Sequence, residues 1–315
     1  MSHRTHSTPD THQSRSVVTI ALVALAWLLV LTSPAAAGTL TLEGEPTQGG
    51  LLWGSTDPGT TVKQDDRAIR VNEDGRFLVG FGRDHARKSV IEANHPDGTR
   101  TVRELTVSKR KYAIQRIDNL PENKVSKFSE KALKRIREEA AAARKARSRD
   151  DARNDWVDGF IWPAIGPITG VYGSQRILNG KPRRPHFGVD VAGRVGAPVV
   201  APADGIVTLA HPDMYFSGGT LIIDHGHHLT SSFLHLSRIL VKEGQRVFKG
   251  DVIAEIGKTG RVTGPHLDWR MNLGPDRIDP QLLAGPMPDT QARIYNPYRD
   301  RTGWADKRES SATGR

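Results

Sequence analysis

Val241-Lys242-Glu243-Gly244-Gln245-Arg246-Val247, followed by Lys249-Gly250-Asp251-Val252-Ile253, is the stretch that decides the fold. Its glycines fall where tight turns need conformational freedom, and its β-branched residues fall where strands need them. That cadence suits a compact sandwich of short strands. Working outward, strand-like runs recur at 205–210, 220–224, 230–236, 251–256 and 266–271, and together they fill a domain over 156–285. The 31 Gly, 19 Pro and absence of Cys favour many turns between short strands over a helical bundle. A mainly β fold follows, with packing or metal, not disulfides, as the source of stability.

Upstream, short β-type runs at 40–42, 61–62, 76–80 and 102–107 are separated by Asp57-Pro58-Gly59, Glu73-Asp74-Gly75 and Pro96-Asp97-Gly98. They predict a small Ig-like β-sandwich over 38–108, with no titratable cluster at ligand spacing, so it reads as a docking or spacer module. Residues 109–155 change character. Ser126 and Ser129 offer N-caps, and Leu133, Ile136, Ala140 and Ala143 recur at helical spacing among Lys, Arg and Glu, which predicts a basic linker with one amphipathic helix from near Ser129. The stripe is thin, so the helix either lies across a domain or bridges two in solvent.

The first 37 residues read as a secretory signal: Arg4 and Arg15, an apolar run over 17–31, then Pro34-Ala35-Ala36-Ala37-Gly38. The run is shorter than the roughly 20 residues a spanning helix needs. An uncleaved segment would instead hold the protein beside a membrane. Export places the protein in the periplasm or the extracytoplasmic envelope. Solubility and a solvated basic linker account for most of the formal net charge of +10, and any partner it implies for an exported protein is an anionic wall peptide, wall polymer or lipid surface, not nucleic acid. Residues 286–315 are polar and aperiodic and read as a tail.

Three segments carry chemistry. His186-Phe187-Gly188-Val189-Asp190 sets an imidazole and a carboxylate four apart in a non-helical stretch, where extended residues four apart share a face. Such a pair suits zinc, and a surface histidine beside an aspartate gives the same spacing. His266-Leu267-Asp268 projects both polar groups to one side of a strand, after the turn-rich Gly260-Arg261-Val262-Thr263-Gly264-Pro265. Phe233-Leu234-His235-Leu236-Ser237 sets a histidine in an apolar strand. A further cluster, His225, His227 and His228, reads as a strand end with a structural role.

Over about 159–283 these motifs, in order, resemble the LytM/lysostaphin-type peptidoglycan metallopeptidases, which implies the duplicated hybrid-motif sandwich for this domain. The resemblance implies that His186 and Asp190 are zinc ligands and that His235 and His266 are the catalytic histidines. Asp268 stands where the family's third zinc ligand is usually histidine. Asp ligates zinc, but a second carboxylate is expected to weaken the ion as a Lewis acid. By the same resemblance Tyr215 and Phe216, with the loop 172–184, take the positions of groove walls, where the aromatic rings would hold a stem peptide and Arg176 and Arg184 would pair its carboxylates. The implied activity is a zinc endopeptidase acting on peptidoglycan peptides, with cell-wall or divisome proteins as partners. The alternative is a weak or inactive relative that binds the wall or activates another hydrolase. Biotinyl and lipoyl carriers share the 245–253 cadence, but their Met-Lys-Met or Asp-Lys-Ala context is absent.

Overall fold

The computed structural model describes Met1, residues 38–118 and residues 128–289. The signal read over 1–37 and most of the tail read over 286–315 lie outside the described residues.

The N-terminal part is two antiparallel sheets. One holds β1 (Leu40–Glu43), β2 (Leu51–Thr56) and β5 (Arg76–Gly80), and the other holds β3 (Thr61–Gln64), β4 (Arg67–Ile69), β6 (Lys88–Asn94) and β7 (Arg100–Thr106). Period-two alternation sends Leu52, Phe77, Val79, Ile91 and Ala93 into one shared core. Leu51 and Leu78 point the other way and join the core of the C-terminal domain. With apolar residues on both faces, the β1-β2-β5 sheet must be covered twice, which makes this part a packed buttress instead of a free spacer. Arg67–Asp276 at 2.8 Å and Arg110–Asp279 at 2.8 Å tie the contact at its rim.

Strand β8 (Ile114–Ile117) follows, then helix α1 (Glu130–Arg147), capped by Ser129, whose hydroxyl accepts from the Ala132 N–H. Only its last turns meet a core: Ala143 and Ala146 pack on Leu209, Met214 and Ile222. Of the two placements its thin stripe allows, the helix lies across a domain.

The C-terminal domain contains β9 (Ile168–Gly170), β10 (Gln175–Leu178), β11 (Lys181–Pro182), β12 (Val189–Ala192), β13 (Pro198–Val200), β14 (Gly205–Met214), β15 (Gly218–Asp224), β16 (Leu229–Ile239), β17 (Arg246–Val247), β18 (Val252–Ile256), β19 (His266–Leu273), β20 (Asp276–Ile278) and α2 (Pro280–Ala284). The main sheet runs β17-β14-β15-β16-β19-β12-β9, with β18 also pairing β16, β13 pairing β18 and β20 beside β19. Val189, Val191, Leu221, Ile223, Phe233, Leu267, Trp269 and Met271 form its core face. The opposite face therefore receives Asp190, Ile222, Ser232, His266, Asp268, Arg270 and Asn272 by parity. Between β8 and the domain, β10 pairs with β8 in parallel and with β11 antiparallel.

Two histidines of the 225–228 cluster are held by neighbours. His225 Nδ1 donates to the Asp204 carbonyl at 2.6 Å and its Nε2 meets Ser231 Oγ at 2.8 Å, while His228 faces Asp150. Burial pushes His225 and His227 down to about 4. The folded state excludes a proton that the unfolded chain binds below about 6.5, so stability is lost as pH falls from about 6.5 to 4, on the order of 3 kcal/mol for the fully buried His225. We expect the unfolding midpoint to drop between pH 7.5 and pH 5, and His225→Gln, which keeps a donor for Asp204, to narrow that drop in denaturant titrations at the two pH values.

Candidate metal centre

Asp190 on β12 and Asp268 on β19 are directly opposite partners in an antiparallel pair. His186 joins them from the segment entering β12, held by backbone bonds from its N–H to the Ser174 carbonyl and from the Gly173 N–H to its own carbonyl. His186 Nε2 lies 3.1 Å from Asp190 Oδ1, and both atoms are buried without a hydrogen-bond partner. Leaving two such groups unsatisfied costs roughly 1–3 kcal/mol each, so the arrangement calls for a cation between them. One ligand atom from each of His186, Asp190 and Asp268 falls within 4.8 Å of the other two. Tetrahedral donors about 2 Å from zinc stand about 3.3 Å apart, so the residues fit the ion. Among the described residues this is the one group with metal-ligand composition and spacing.

Two glycines make room. A Cβ on Gly170 would lie 2.1 Å from Asp190 Oδ2, and one on Gly188 would lie 2.5 Å from Asp268 Oδ1 and 2.7 Å from the Trp269 carbonyl. The glycine of the His186-to-Asp190 motif is thus needed for clearance, not for its backbone angles.

Arg270 was not singled out by the sequence reading. Two residues beyond Asp268 on the same face, its Nε donates to Asp268 Oδ1 at 2.9 Å and its Nη2 to Oδ2 at 2.5 Å. Burial alone would raise the Asp268 carboxyl, but the Arg270 charge and hydrogen bonds, with His186 and His235 adding, hold it well below the usual carboxylate range. The expected excess negative charge of a two-carboxylate donor set is therefore offset on one side by a guanidinium. The signal was present in the i, i+2 spacing of Asp268 and Arg270.

His235 reaches the site by breaking alternation. Phe233 faces the core, so parity would bury residue 235 there too. A left-handed backbone, φ 66°, at irregular pairing along β16 turns it out, with its N–H donating to the Ser217 carbonyl at 2.8 Å. Its ring then stands 4.9 Å from that of His266. His235 Nδ1 donates to the Thr259 carbonyl at 2.9 Å and His266 Nδ1 to the Gly264 carbonyl at 2.9 Å. Because a carbonyl only accepts, the hydrogen sits on Nδ1 in each ring and both Nε2 atoms keep a free lone pair. His266 Nε2 lies 3.8 Å from Asp190 Oδ1. Burial lowers His235 against the pull of Asp268, which keeps its ring neutral.

Of the four residues read as substrate contacts, Arg176 lies at the centre, its Nη2 3.8 Å from Asp190 Oδ2. Arg184 is exposed, and its charge is felt at Arg277 instead. Tyr215 and Phe216 stack edge to face at 4.9 Å, and Phe128 of the same chain packs on both, at 6.1 and 5.6 Å. Arg261 lies 4.5 Å over Phe216, and Glu139 on α1 accepts from the Tyr215 N–H. Tyr215 and Phe216 thus belong to an aromatic cluster under the start of α1, and the loop 172–184 forms the β10–β11 hairpin, which β8 extends. A cleft of about 1080 Å³ lies apart from the centre, between the N-terminal sheets and β10, where Arg83, Arg110 and Tyr112 line it.

Residues 184–280 match the family described as Peptidase family M23. The chain is 45% identical over 89 residues to the peptidoglycan DD-endopeptidase ShyA of Vibrio cholerae, covering 28% of this chain and 20% of that protein. It is 46% identical over 124 residues to ShyB of the same organism, covering 39% and 26%. It spans about a quarter or less of the length of these relatives. A crystal structure of a Pseudomonas aeruginosa peptidase M23 superposes with a TM-score of 0.60 at 29% identity, covering 77% of this chain and 96% of that one. The stretch that matches Peptidase family M23 carries all three candidate ligands, Asp190 and Asp268 on one sheet face and His186 at the entry to β12.

Proposed function

We propose that this protein is a zinc-dependent endopeptidase that hydrolyses peptide bonds in peptidoglycan stem peptides or cross-links, and so remodels the cell wall outside the cytoplasm. The observation that carries this reading is the facing pair His186 Nε2 and Asp190 Oδ1, buried and without hydrogen bonds beside Asp268. The DD-endopeptidase names of the similar proteins support the substrate class.

Zinc held by His186, Asp190 and Asp268 would supply Lewis acidity to the scissile carbonyl and to the attacking water. The chain's own groups do the rest. The free Nε2 atoms of His235 and His266 accept the water's proton, return it to the departing amine and, when protonated, donate to the developing oxyanion. Arg270 fixes the Asp268 carboxylate, Arg176 and Arg184 offer cations to the peptide's carboxylates, and Tyr215 and Phe216 wall the groove. The signal read at 1–37 accounts for export, and if uncleaved it would keep the enzyme at a membrane.

A second reading is favoured by one observation. Both Asp268 oxygens already accept from Arg270, as they would in a domain that binds wall peptides or activates another hydrolase without cutting. Metal content and muropeptide release separate the two. We expect the mature protein to bind one zinc and release muropeptides, and Asp268→Ala to lose both, with metal affinity down by at least about tenfold. Absence of metal and of release in the unaltered protein would sink the enzyme reading.

Gly170→Ala should displace Asp190 and weaken zinc binding by about 10–100-fold while circular dichroism stays the same. His266→Ala should instead keep the ion and slow release by about 10²–10⁴-fold. Loss of zinc from that variant would mean that His266 serves the metal, not the proton.

A further inference from the structure

Beyond the donor row, the same sheet face carries a strip that the chemistry above leaves unused. Cross-strand partners fix its layout. Ser232 on β16 stands opposite Arg270, Thr230 stands opposite Asn272, and Asn272 stands opposite Arg277 on β20. Arg277 Nη1 donates to Asn272 Oδ1 at 3.0 Å, and its guanidinium lies 5.8 Å over the Phe187 ring. From the other side α1 closes in: Ala146 packs on Ile222, which stands opposite Ser232, and Arg147 is the next residue.

Two features of this strip are unsatisfied. Thr230 Oγ1 and Ser232 Oγ are buried, the residues 0% and 4% exposed, and neither hydroxyl has a hydrogen-bond partner. Above them, Arg147 and Arg277 are half-buried with no carboxylate partner among the described residues. Burial pushes Arg277 down to about 10, with Arg147, Arg270 and Arg184 adding repulsion. The nearby acids are committed: Asp268 to Arg270, and Asp224, which stands opposite Thr230, to Arg153 and Arg149. Half-buried like charges beside orphaned hydroxyl donors cost stability unless an anion joins them.

We propose that this strip is a subsite for a free carboxylate of the peptide substrate, received by the Arg147 and Arg277 guanidiniums with the Ser232 and Thr230 hydroxyls beneath. It rests on the peptidase reading and deepens it. Strand residues two and four beyond Asp268 lie about 7 and 13 Å away, so at about 3.3 Å per residue the carboxylate belongs about two to four residues from the scissile bond. A guanidinium pair recognises an α-carboxylate and a side-chain carboxylate alike.

The test uses zinc-loaded full chain and one peptide in three forms: unmodified, amidated at its C-terminus, or amidated at its side-chain carboxylate. We expect one of the two amidations to raise KM by about tenfold, and that arm identifies the carboxylate. Arg147→Gln and Arg277→Gln should each raise KM by about fivefold to tenfold for the unmodified peptide. Neither should add to the KM of the amidated one, and kcat and bound zinc should change by less than about twofold. Equal KM for all three forms, or variants that raise KM equally with and without the carboxylate, would overturn the subsite. If thermal unfolding shows Arg277→Gln to be destabilised, Arg277→Lys replaces it and should retain part of the discrimination. Should the unaltered protein cleave none of the peptides, the peptidase reading fails by itself. Dissociation constants for the same peptides, measured calorimetrically, then decide the subsite: about tenfold tighter binding of the unmodified form supports it and equal binding overturns it.

Discussion

Two carboxylates stand directly opposite each other on adjacent strands, and the sheet face that carries them exists only because positive charge reaches both. Asp190 and Asp268 are register partners, a pairing that brings Cβ atoms to about 5 Å and is destabilising for like charges. Each has a separate answer. Asp268 is held by Arg270, and Asp190 has Arg176 at its edge and an oxygen left bare toward His186. Arg270 cancels one of the two carboxylates, so the donor set presents to an ion the charge of a set with a single carboxylate. The loss of Lewis acidity expected from Asp268 is opposed by its neighbour.

That requirement spreads outward through packing. Bringing Asp268 and Arg270 against β12 leaves no room for a side chain at 188, and bringing Asp190 against β9 leaves none at 170. The rigidity of the face comes from behind, where Leu267, Trp269 and Met271 are fully buried and cannot shift without opening the core. The N-terminal sheets reinforce the same strand from its far end through Leu51, Leu78 and the Leu273 contact at Gly80. The segment between the two parts is more than a connector: β8 lengthens the β10–β11 hairpin, and Phe128 packs on the Tyr215–Phe216 pair.

Much of this was legible in the sequence where one rule acts alone. The runs at 205–210, 220–224, 230–236, 251–256 and 266–271 gave five strands of the C-terminal domain, Ser129 gave the start of α1, and the spacings of His186 with Asp190 and of His266 with Asp268 each gave a shared side. What was not legible depends on which residues meet across strands. Strand parity by itself would put His235 on the core face with Phe233, and the left-handed turn at that residue reverses this. Arg270 looked like an exposed strand cation because nothing local announces that its neighbour two residues back needs a partner. Leu51 fell in none of the strands read from the sequence and Leu78 in an ordinary one, because two-sided burial of a small sheet depends on a domain more than a hundred residues away.

Asp268 and Arg270 are therefore best understood as one unit. An aspartate alone at this position would set two uncompensated carboxylates side by side, and a histidine alone would leave a largely buried guanidinium without its acceptor, several kcal/mol in either case by the usual cost of breaking a buried pair. Either change is tolerable only with a matching change at 270. The third donor and the residue two places beyond it thus constrain each other, and the pairing extends along the face, since Arg270 committed to Asp268 no longer neutralises any anion farther down the groove. Beside it, Arg147 and Arg277 have no carboxylate partner among the described residues.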